Sequence, residues 1–405
     1  MKILYYERLD SSESWIVHAR EVVDNLLNQG HTVVLLSGNH IPDRLDSDAN
    51  SRQSRWTYAK ENFRSLWLFR LLKGEIVLAW LLILEIRLAI SAIITILKNG
   101  RDFDVIYGRH HIFNSDYFLA KLLGIPSIRE VNGILVDEIE LREAPDAFSL
   151  RAINRIEKYS ISKAYGIVVV TAKLKDILIK DYYVSEDKIT VILNGANTGL
   201  FRPLDKDDCK KQLELDLNHV YVCFSGALLP WQGVEYIVRS APMVVEKCPA
   251  ARFMIVGDGV IKNELIDLAK RLGVDNRFFF SGTVPYERVP LYINASDVCV
   301  VPKKIVRSGF SPLKLCEYMA CEKPVIATRA HGFEILEEIH SGLLVDPGNP
   351  EEFANAIVKL LQSPDLRQEM GNNGRQYVTA NRSWASVAVN VAEVCQKVRR
   401  EYGHK

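Results

Sequence analysis

At 405 residues the chain exceeds what one ordinary domain packs around a single core and suits two. An apolar content of 48% with 25% charged residues is that of a globular protein, and 51 basic against 50 acidic side chains leave a net charge of +1, so no overall field calls for nucleic acid as a partner. The seven cysteines form no CxxC pair and no zinc-like spacing with histidine, and several sit in apolar strand patterns such as Tyr221-Val-Cys-Phe224, so they read as buried thiols of a reducing, cytoplasmic compartment.

Met1 to Tyr6 is already a strand pattern, followed at once by Glu7 and Asp10, so a secretory signal is not expected. From there short β-branched runs alternate with amphipathic stretches of helical length, the mark of parallel sheets covered by helices on both faces. The first half is expected to hold strands at residues 2–6, 32–36, 105–107, 127–131, 167–170 and 190–193, with a helix from about Ser14 to Asn28 that Gly30 closes. The stretch from Leu66 to Leu97 is unusually apolar, but Glu85 and Arg87 cut it into uncharged runs of nine (Ile76 to Leu84) and ten (Leu88 to Leu97). A membrane span needs roughly 18. Two readings of this stretch stay open: a pair of helices buried in the first domain, or a helix lying in a bilayer surface with Arg52, Arg55, Lys60 and Arg64 upstream.

Asn194-Gly-Ala-Asn197 and Pro203 supply turn chemistry, after which the pattern restarts with strands at 221–224, 253–256, 278–280, 298–301, 324–327 and 342–345. The expected fold is α/β, two Rossmann-like doubly wound domains spanning 1–197 and 198–382, with a hinge near 194–205. Such sheets bind ligands at their carboxyl ends, which are expected to face a common cleft.

The second half carries the clearest chemical motifs. Phe224-Ser-Gly-Ala-Leu-Leu-Pro-Trp-Gln-Gly-Val234 and Ile255-Val-Gly-Asp-Gly259 each run from a strand through glycines into a helix, where backbone approaches an anion closely, although a plain tight turn explains either one alone. In Ser308-Gly-Phe-Ser-Pro-Leu-Lys-Leu-Cys-Glu-Tyr-Met-Ala320, Pro312 suits a first helical turn, so Ser308, Gly309, Phe310 and Ser311 are expected to offer free N–H groups beside Leu313 and the point charge of Lys314. That is a seat for a diphosphate. Glu317 follows on an otherwise apolar helix, where a ribose diol could supply the donors that a buried carboxylate requires. In the first half, Arg109, His110 and His111 end one strand and Arg129 and Glu130 lie at the end of the next, as acceptor-binding and proton-moving groups or as locally capped turn residues.

The order and spacing of these pieces over nearly the whole chain resemble the glycosyltransferase family 4 enzymes. The likeness rests on Gly30-His-Thr-Val33, Lys188-Ile-Thr-Val-Ile-Leu-Asn-Gly195, Phe201-Arg-Pro203, Ile255-Val-Gly-Asp-Gly259, Phe280-Ser-Gly282, Ala295-Ser-Asp297, Lys314 through Glu317 to Ala320, Lys323-Pro-Val-Ile326 and Gly342-Leu-Leu-Val-Asp-Pro347. The resemblance implies the GT-B fold, a last segment 383–405 returning to the first domain, and retaining transfer from a nucleotide diphosphate sugar with no metal or other cofactor. By position, Glu317 resembles the glutamate that holds the ribose, Phe280, Ser281 and Gly282 the backbone cradle of the base, and Gly226 and Gly257 the glycines lining the nucleotide. Asn132 and Gly133 fall where many relatives place a histidine facing the donor sugar. Lys314, Glu317, Asn132 and His110 form the expected catalytic set, with Arg109, Gly133, His111, Arg129 and Glu130 on the acceptor side. The acceptor is expected to be a glycan or lipid-linked precursor of the cell envelope, with the membrane surface as a possible partner.

Three departures stand out. Ala227 and Gln232 occupy positions where many relatives carry Arg and Lys, and Gly309 stands where the family's first glutamate belongs. They leave open an alternative reading as a binding or partner subunit that has kept the fold without turnover.

Overall fold

The computed structural model describes residues 1–7, 13–37, 86, 89–90, 92–100, 102–110, 115–137 and 147–403. The chain divides into two units, one made of Met1–Leu193 with Trp384–Lys405 and the other of Asn194–Ser383.

In the first unit six parallel strands, β1 (Lys2–Glu7), β2 (Thr32–Ser37), β3 (Val105–Arg109), β4 (Ser127–Val131), β5 (Gly166–Val169) and β6 (Ile189–Val191), lie in the order β2-β1-β3-β4-β5-β6. Both faces of the central strands are covered, which is why they read as continuous apolar runs rather than alternating ones. The unit's helices among the described residues include α1 (Glu13–Asn28), α2 (Ser115–Leu123), α3 (Ala147–Ser162) and α4 (Ala172–Lys180). On one face Leu4, Val34 and Ile106 pack against Leu119 of α2 and against Ala92 and Ile96 of the helical run 92–99. Further along, Ile167 and Val169 meet Ile161, Leu174 and Leu178. Thr171 caps α4 by accepting the Leu174 N–H (3.0 Å), and Gly30, at φ 82°, ends the turn after α1.

The second unit repeats the plan with β7 (Val220–Ser225), β8 (Ala251–Val256), β9 (Phe278–Gly282), β10 (Val298–Val301), β11 (Val325–Thr328) and β12 (Gly342–Val345), in the order β12-β11-β10-β7-β8-β9. Its helices are α5 (Lys206–Gln212), α6 (Val234–Lys247), α7 (Lys262–Arg271), α8 (Val289–Ala295), α9 (Leu313–Ala320), α10 (Ile335–Glu338), α11 (Pro350–Leu361) and α12 (Pro364–Asn381). Successive strand residues serve opposite cores: Phe224, Phe253 and Ile255 pack with Ile237 and Phe353, whereas Cys223 and Met254 pack with Ile293, Tyr318 and Met319. A last helix, α13 (Trp384–Gly403), belongs to the first unit, where it lies on α1 with the Trp384 and His18 rings edge to face at 5.0 Å. Where the chain enters and leaves the second unit, the two ends of that unit are tied together: Ala196 N–H donates to the Arg382 carbonyl (2.8 Å) and Arg382 Nε to the Asn194 carbonyl (2.9 Å).

All twelve expected strands are present, their ends within two residues of the reading from sequence. The seven cysteines are free thiols and all but Cys248 are buried. Of the apolar stretch 66–97, residues 66–85, 87, 88 and 91 lie outside the described residues. In the remainder Ala92, Thr95 and Ile96 are buried, while Ile86, Ile90, Ile93 and Leu97 are exposed. No helix among the described residues is long and apolar enough to cross a membrane.

Candidate active site

In the second sheet β7 and β10 are neighbours although they are not consecutive in the chain, so the connections leave this point in opposite directions and open a crevice at the carboxyl ends of the strands. Gly226 follows β7 at φ 134°, with its N–H on the Val256 carbonyl (2.8 Å); a Cβ there would lie 2.5 Å from Lys314 Nζ. Gly257 follows β8 at the same φ, its N–H on the Gly282 carbonyl (3.0 Å), and a Cβ there would lie 2.1 Å from the Gly226 carbonyl oxygen. Only glycine leaves this floor open.

Lys303, two residues past β10, and Lys314, in the first turn of α9, bring two ammonium groups to this floor. Lys303 is 9% exposed, and among the described residues no carboxylate forms an ion pair with it; its Nζ lies 5.2 Å from the centre of the Phe310 ring. Burial lowers its pKa to about 8. Lys314 Nζ lies 4.0 Å above the Phe224 ring and donates to Gln232 Oε1 (3.2 Å). Burial and the Lys303 charge hold Lys314 well below the ordinary lysine range, against the opposite pull of Glu317. Lys304 is engaged elsewhere, in an ion pair with Glu235 at 2.8 Å.

The loop before α9 differs from the expectation of four free amides. Gly309 N–H donates to the Val306 carbonyl (3.3 Å) and Phe310 N–H to the His331 carbonyl (2.8 Å), because the loop packs against the turn after β11, where the Phe310 ring stacks on Phe333. Pro312 is the N-cap rather than a residue of the first turn, so the helix opens with the N–H groups of Leu313 and Lys314. Ser308 is buried, and Ser311 is fixed by Asn194, whose N–H donates to Ser311 Oγ (3.0 Å) and whose side-chain amide donates to the Ser311 carbonyl (2.6 Å).

Glu317 is 6% exposed, and Tyr286 donates its hydroxyl to Oε1 (2.8 Å). Sequence reasoning missed Tyr286; the signal was a tyrosine four residues past the Phe280-Ser-Gly282 motif, on the turn leaving β9. The Phe280 ring packs into the core, which leaves its backbone for any role at the site, and Ser281 Oγ donates to the Gly282 carbonyl (2.8 Å).

In the first unit the ends of β3 and β4 gather a different chemistry. Glu130, 2% exposed, accepts from the Tyr107 hydroxyl (2.7 Å) and the Asn132 amide (2.8 Å) and faces His18 Nε2 (3.5 Å) and Arg109 Nε (3.6 Å). Burial works to raise its pKa, yet His18, Arg109 and the two hydrogen bonds together hold it below the usual range. Gly133 follows Asn132, and both are partly exposed.

Three expectations are corrected here. Arg129, 1% exposed, is sealed in an ion pair with Asp116 and donates to Ser160, because on β4 it points to the face opposite Glu130; it is a structural cation, closed to any acceptor. Its neighbour Glu130 is equally inaccessible and acts on the groups around it. His110 has 8% of its side chain exposed, with Nε2 turned to Glu157 (3.3 Å), a fully buried carboxylate that also accepts from Leu135 N–H (2.8 Å) and Tyr182 (3.0 Å). A carboxylate so buried draws its donors inward, which takes the imidazole away from an acceptor. His111 lies outside the described residues. Among the described residues no cluster of three or more His, Cys, Asp or Glu could hold a metal.

A family model described as glycosyltransferase family 4 matches residues 17–200, and one described as glycosyl transferases group 1 matches residues 205–377. The chain belongs to the family 4 glycosyltransferases. An uncharacterised glycosyltransferase of Methanocaldococcus jannaschii is 27% identical to it over 256 residues, 61% of this chain and 65% of that one. The D-inositol 3-phosphate glycosyltransferase of Corynebacterium diphtheriae is 26% identical over 303 residues, 72% of this chain and 70% of the relative. Among solved structures, Anabaena HepE in complex with UDP-glucose superposes with a TM-score of 0.72 at 17% identity, covering 98% of this chain and all of that one. The two doubly wound sheets of this glycosyltransferase are those of the GT-B fold. The glycosyltransferase keeps an uncharged Gln232 against Lys314 and carries its second cation, Lys303, past the strand across the switch point.

Proposed function

We propose that this glycosyltransferase takes a sugar from a nucleotide diphosphate sugar, with retention and without a metal, and passes it to a hydroxyl of a glycan or lipid-linked acceptor. The observation that carries this reading is the pair Lys303 and Lys314 at the β7–β10 switch point, one of them buried with no acid paired to it among the described residues. Unpaired buried charge is costly, and a diphosphate offset by two ammonium groups and the first amides of α9 removes that cost. Glu317 and Tyr286 suit the ribose hydroxyls, and the backbone of Phe280 to Gly282 suits the base. UDP-glucose in the structurally similar HepE is in keeping with such a donor.

In the reaction the bond from the anomeric carbon to the phosphate oxygen breaks while the acceptor oxygen bonds from the same face, and the acceptor proton passes to the departing phosphate oxygen. The protein contributes positioning and charge. A thermal-shift panel of UDP, GDP and ADP with their sugar conjugates, with and without EDTA, tests the donor site. Stabilisation by one nucleotide series, insensitive to chelator and lost in Glu317→Ala, is expected. No shift with any of them would favour the partner-subunit reading that the departures at Ala227, Gln232 and Gly309 left open.

A membrane-surface acceptor is supported by the apolar stripe Ile86, Ile90, Ile93 and Leu97, at helical spacing, and by Phe118 and Leu122 on α2, all exposed. Both helices anchor in the same core through Ala92, Ile96, Leu119 and Ala120, and Lys98 and Lys121 flank the apolar positions. Cosedimentation with vesicles containing anionic lipid is expected, weakened at least tenfold by Ile93→Asp with Leu122→Asp. Equal recovery with and without vesicles would remove the membrane from the proposal.

A further inference from the structure

On a helix, residues three apart are neighbours, and opposite charges at that spacing attract one another. Lys314 and Glu317 stand at that spacing on α9, and Glu317 is buried, where little water screens the attraction. Each charge is nevertheless given to another partner. Lys314 Nζ donates to Gln232 Oε1 (3.2 Å) and lies over the Phe224 ring, while Glu317 Oε1 accepts from the Tyr286 hydroxyl (2.8 Å). Both partners are uncharged, and both come from short turns far off in the chain: Gln232 from the turn before α6, 82 positions from Lys314, and Tyr286 from the turn before α8, 31 positions from Glu317. The Tyr286 ring is braced in turn by the buried Phe201, 5.2 Å away between ring centres. A neutral holder fixes a charged group without cancelling it, whereas an ion pair between Lys314 and Glu317 would leave less of either charge for a ligand.

We propose that Tyr286 and Gln232 are positioning residues that keep Glu317 and Lys314 from pairing with each other, so that the carboxylate stays available to a ribose and the ammonium to a diphosphate. This rests on the nucleotide-sugar reading given above, in which Glu317 meets the ribose hydroxyls. The separation makes the site selective: a carboxylate held in place accepts from the hydroxyl that a ribonucleotide carries and a deoxyribonucleotide lacks. Once the Tyr286 hydroxyl is removed, the carboxylate turns to Lys314 and the ribose loses its acceptor.

The test measures a ribose preference, the dissociation constant of a deoxyribonucleoside diphosphate divided by that of its ribonucleoside counterpart, for UDP, GDP and ADP with their deoxy forms. The proteins are the wild type, Tyr286→Phe, Gln232→Leu, Lys314→Met and Tyr286→Phe combined with Lys314→Met. Phe at position 286 keeps a ring against Phe201, so the turn should be retained. The wild type is expected to prefer ribose by about tenfold or more, the effect of one hydrogen bond to a charged group. Tyr286→Phe is expected to lose most of that preference, and Gln232→Leu, which releases the ammonium, to shift it in the same direction. Lys314→Met is expected to bind every ligand less tightly and yet keep the preference. The double variant is expected to keep it too, because the cation to which Glu317 would turn is gone.

An unchanged ribose preference in either Tyr286→Phe or Gln232→Leu overturns the proposal, including the case in which both ligands weaken together, as a purely structural side chain would have it. The two variants remove contacts made from different turns, so one decides if the other does not fold. A double variant that has lost the preference also overturns it, since Tyr286 would then act on the ribose without regard to Lys314. A wild type that binds ribonucleotides and deoxyribonucleotides equally would instead overturn the ribose reading of Glu317, and one that binds no nucleoside diphosphate the donor-site reading; this inference falls with either.

Discussion

Lys314→Met is expected to lower kcat/KM for the nucleotide sugar by about 10²- to 10³-fold, the range for removing one group that meets charge as it develops in a transition state. Met keeps the length of the chain and its contact with the Phe224 ring, so folding should be little changed while the ammonium beside Gly226 is lost. The pH dependence of binding supplies an independent reading. Lys303 titrates at about 8 in the free protein, and Lys314 is held below the ordinary lysine range by burial and by Lys303. A bound diphosphate stabilises the charged forms and so raises both values. Below about pH 8 Lys303 is already charged and its protonation adds nothing to the cost of binding; above that pH it must take up a proton as the nucleotide binds. Affinity for the nucleoside diphosphate is thus expected to decline as pH rises beyond about 8, by up to about tenfold per pH unit for one lysine, and Lys303→Met is expected to flatten that decline. Titration calorimetry between about pH 7 and 9.5 measures both. An affinity that holds level across this range would place the phosphates elsewhere.

Arg129→Met is expected to destabilise the protein by about 3–5 kcal/mol, the cost of leaving one partner of a buried ion pair alone. Asp116 is almost as buried as Arg129, and Ser160 would also lose its donor. The variant Arg129→Met with Asp116→Leu should recover much of the loss, because an apolar pair leaves no stranded charge. Denaturant unfolding of the three proteins decides the matter. Full stability in Arg129→Met, with a defect confined to turnover, would return Arg129 to the acceptor side.

Chain pattern disclosed the strands and the glycine turns because both follow from local rules: a β-branched run must be covered on both faces, and a glycine at φ 134° must leave room for the group opposite. Lys314 and Glu317 were legible for a similar reason, since both sit one turn apart on a helix whose start Pro312 announces. What pattern does not carry is which partner a polar side chain will find. The amides of Gly309 and Phe310 were taken up by Val306 and His331, the second a contact between two loops separated by a helix and a strand, which no local spacing encodes. Arg129 and Glu130 look alike on paper as charges at a strand end, yet the pleat sends one to Asp116 and the other to Asn132. Tyr286 lay hidden for the same cause: its value comes from a carboxylate 31 positions later.

The return of α13 to the first unit separates the order in which the protein is made from the order in which it can be finished. When Ser383 leaves the ribosome, every strand and helix of the second unit is available, and that unit can close around its own two cores. The first unit, begun earlier, still lacks the helix whose Trp384, Val387, Val391 and Cys395 are buried on completion. Until those last turns are made, the apolar surface of α1 that they cover, with His18 against Trp384, has no partner from its own chain.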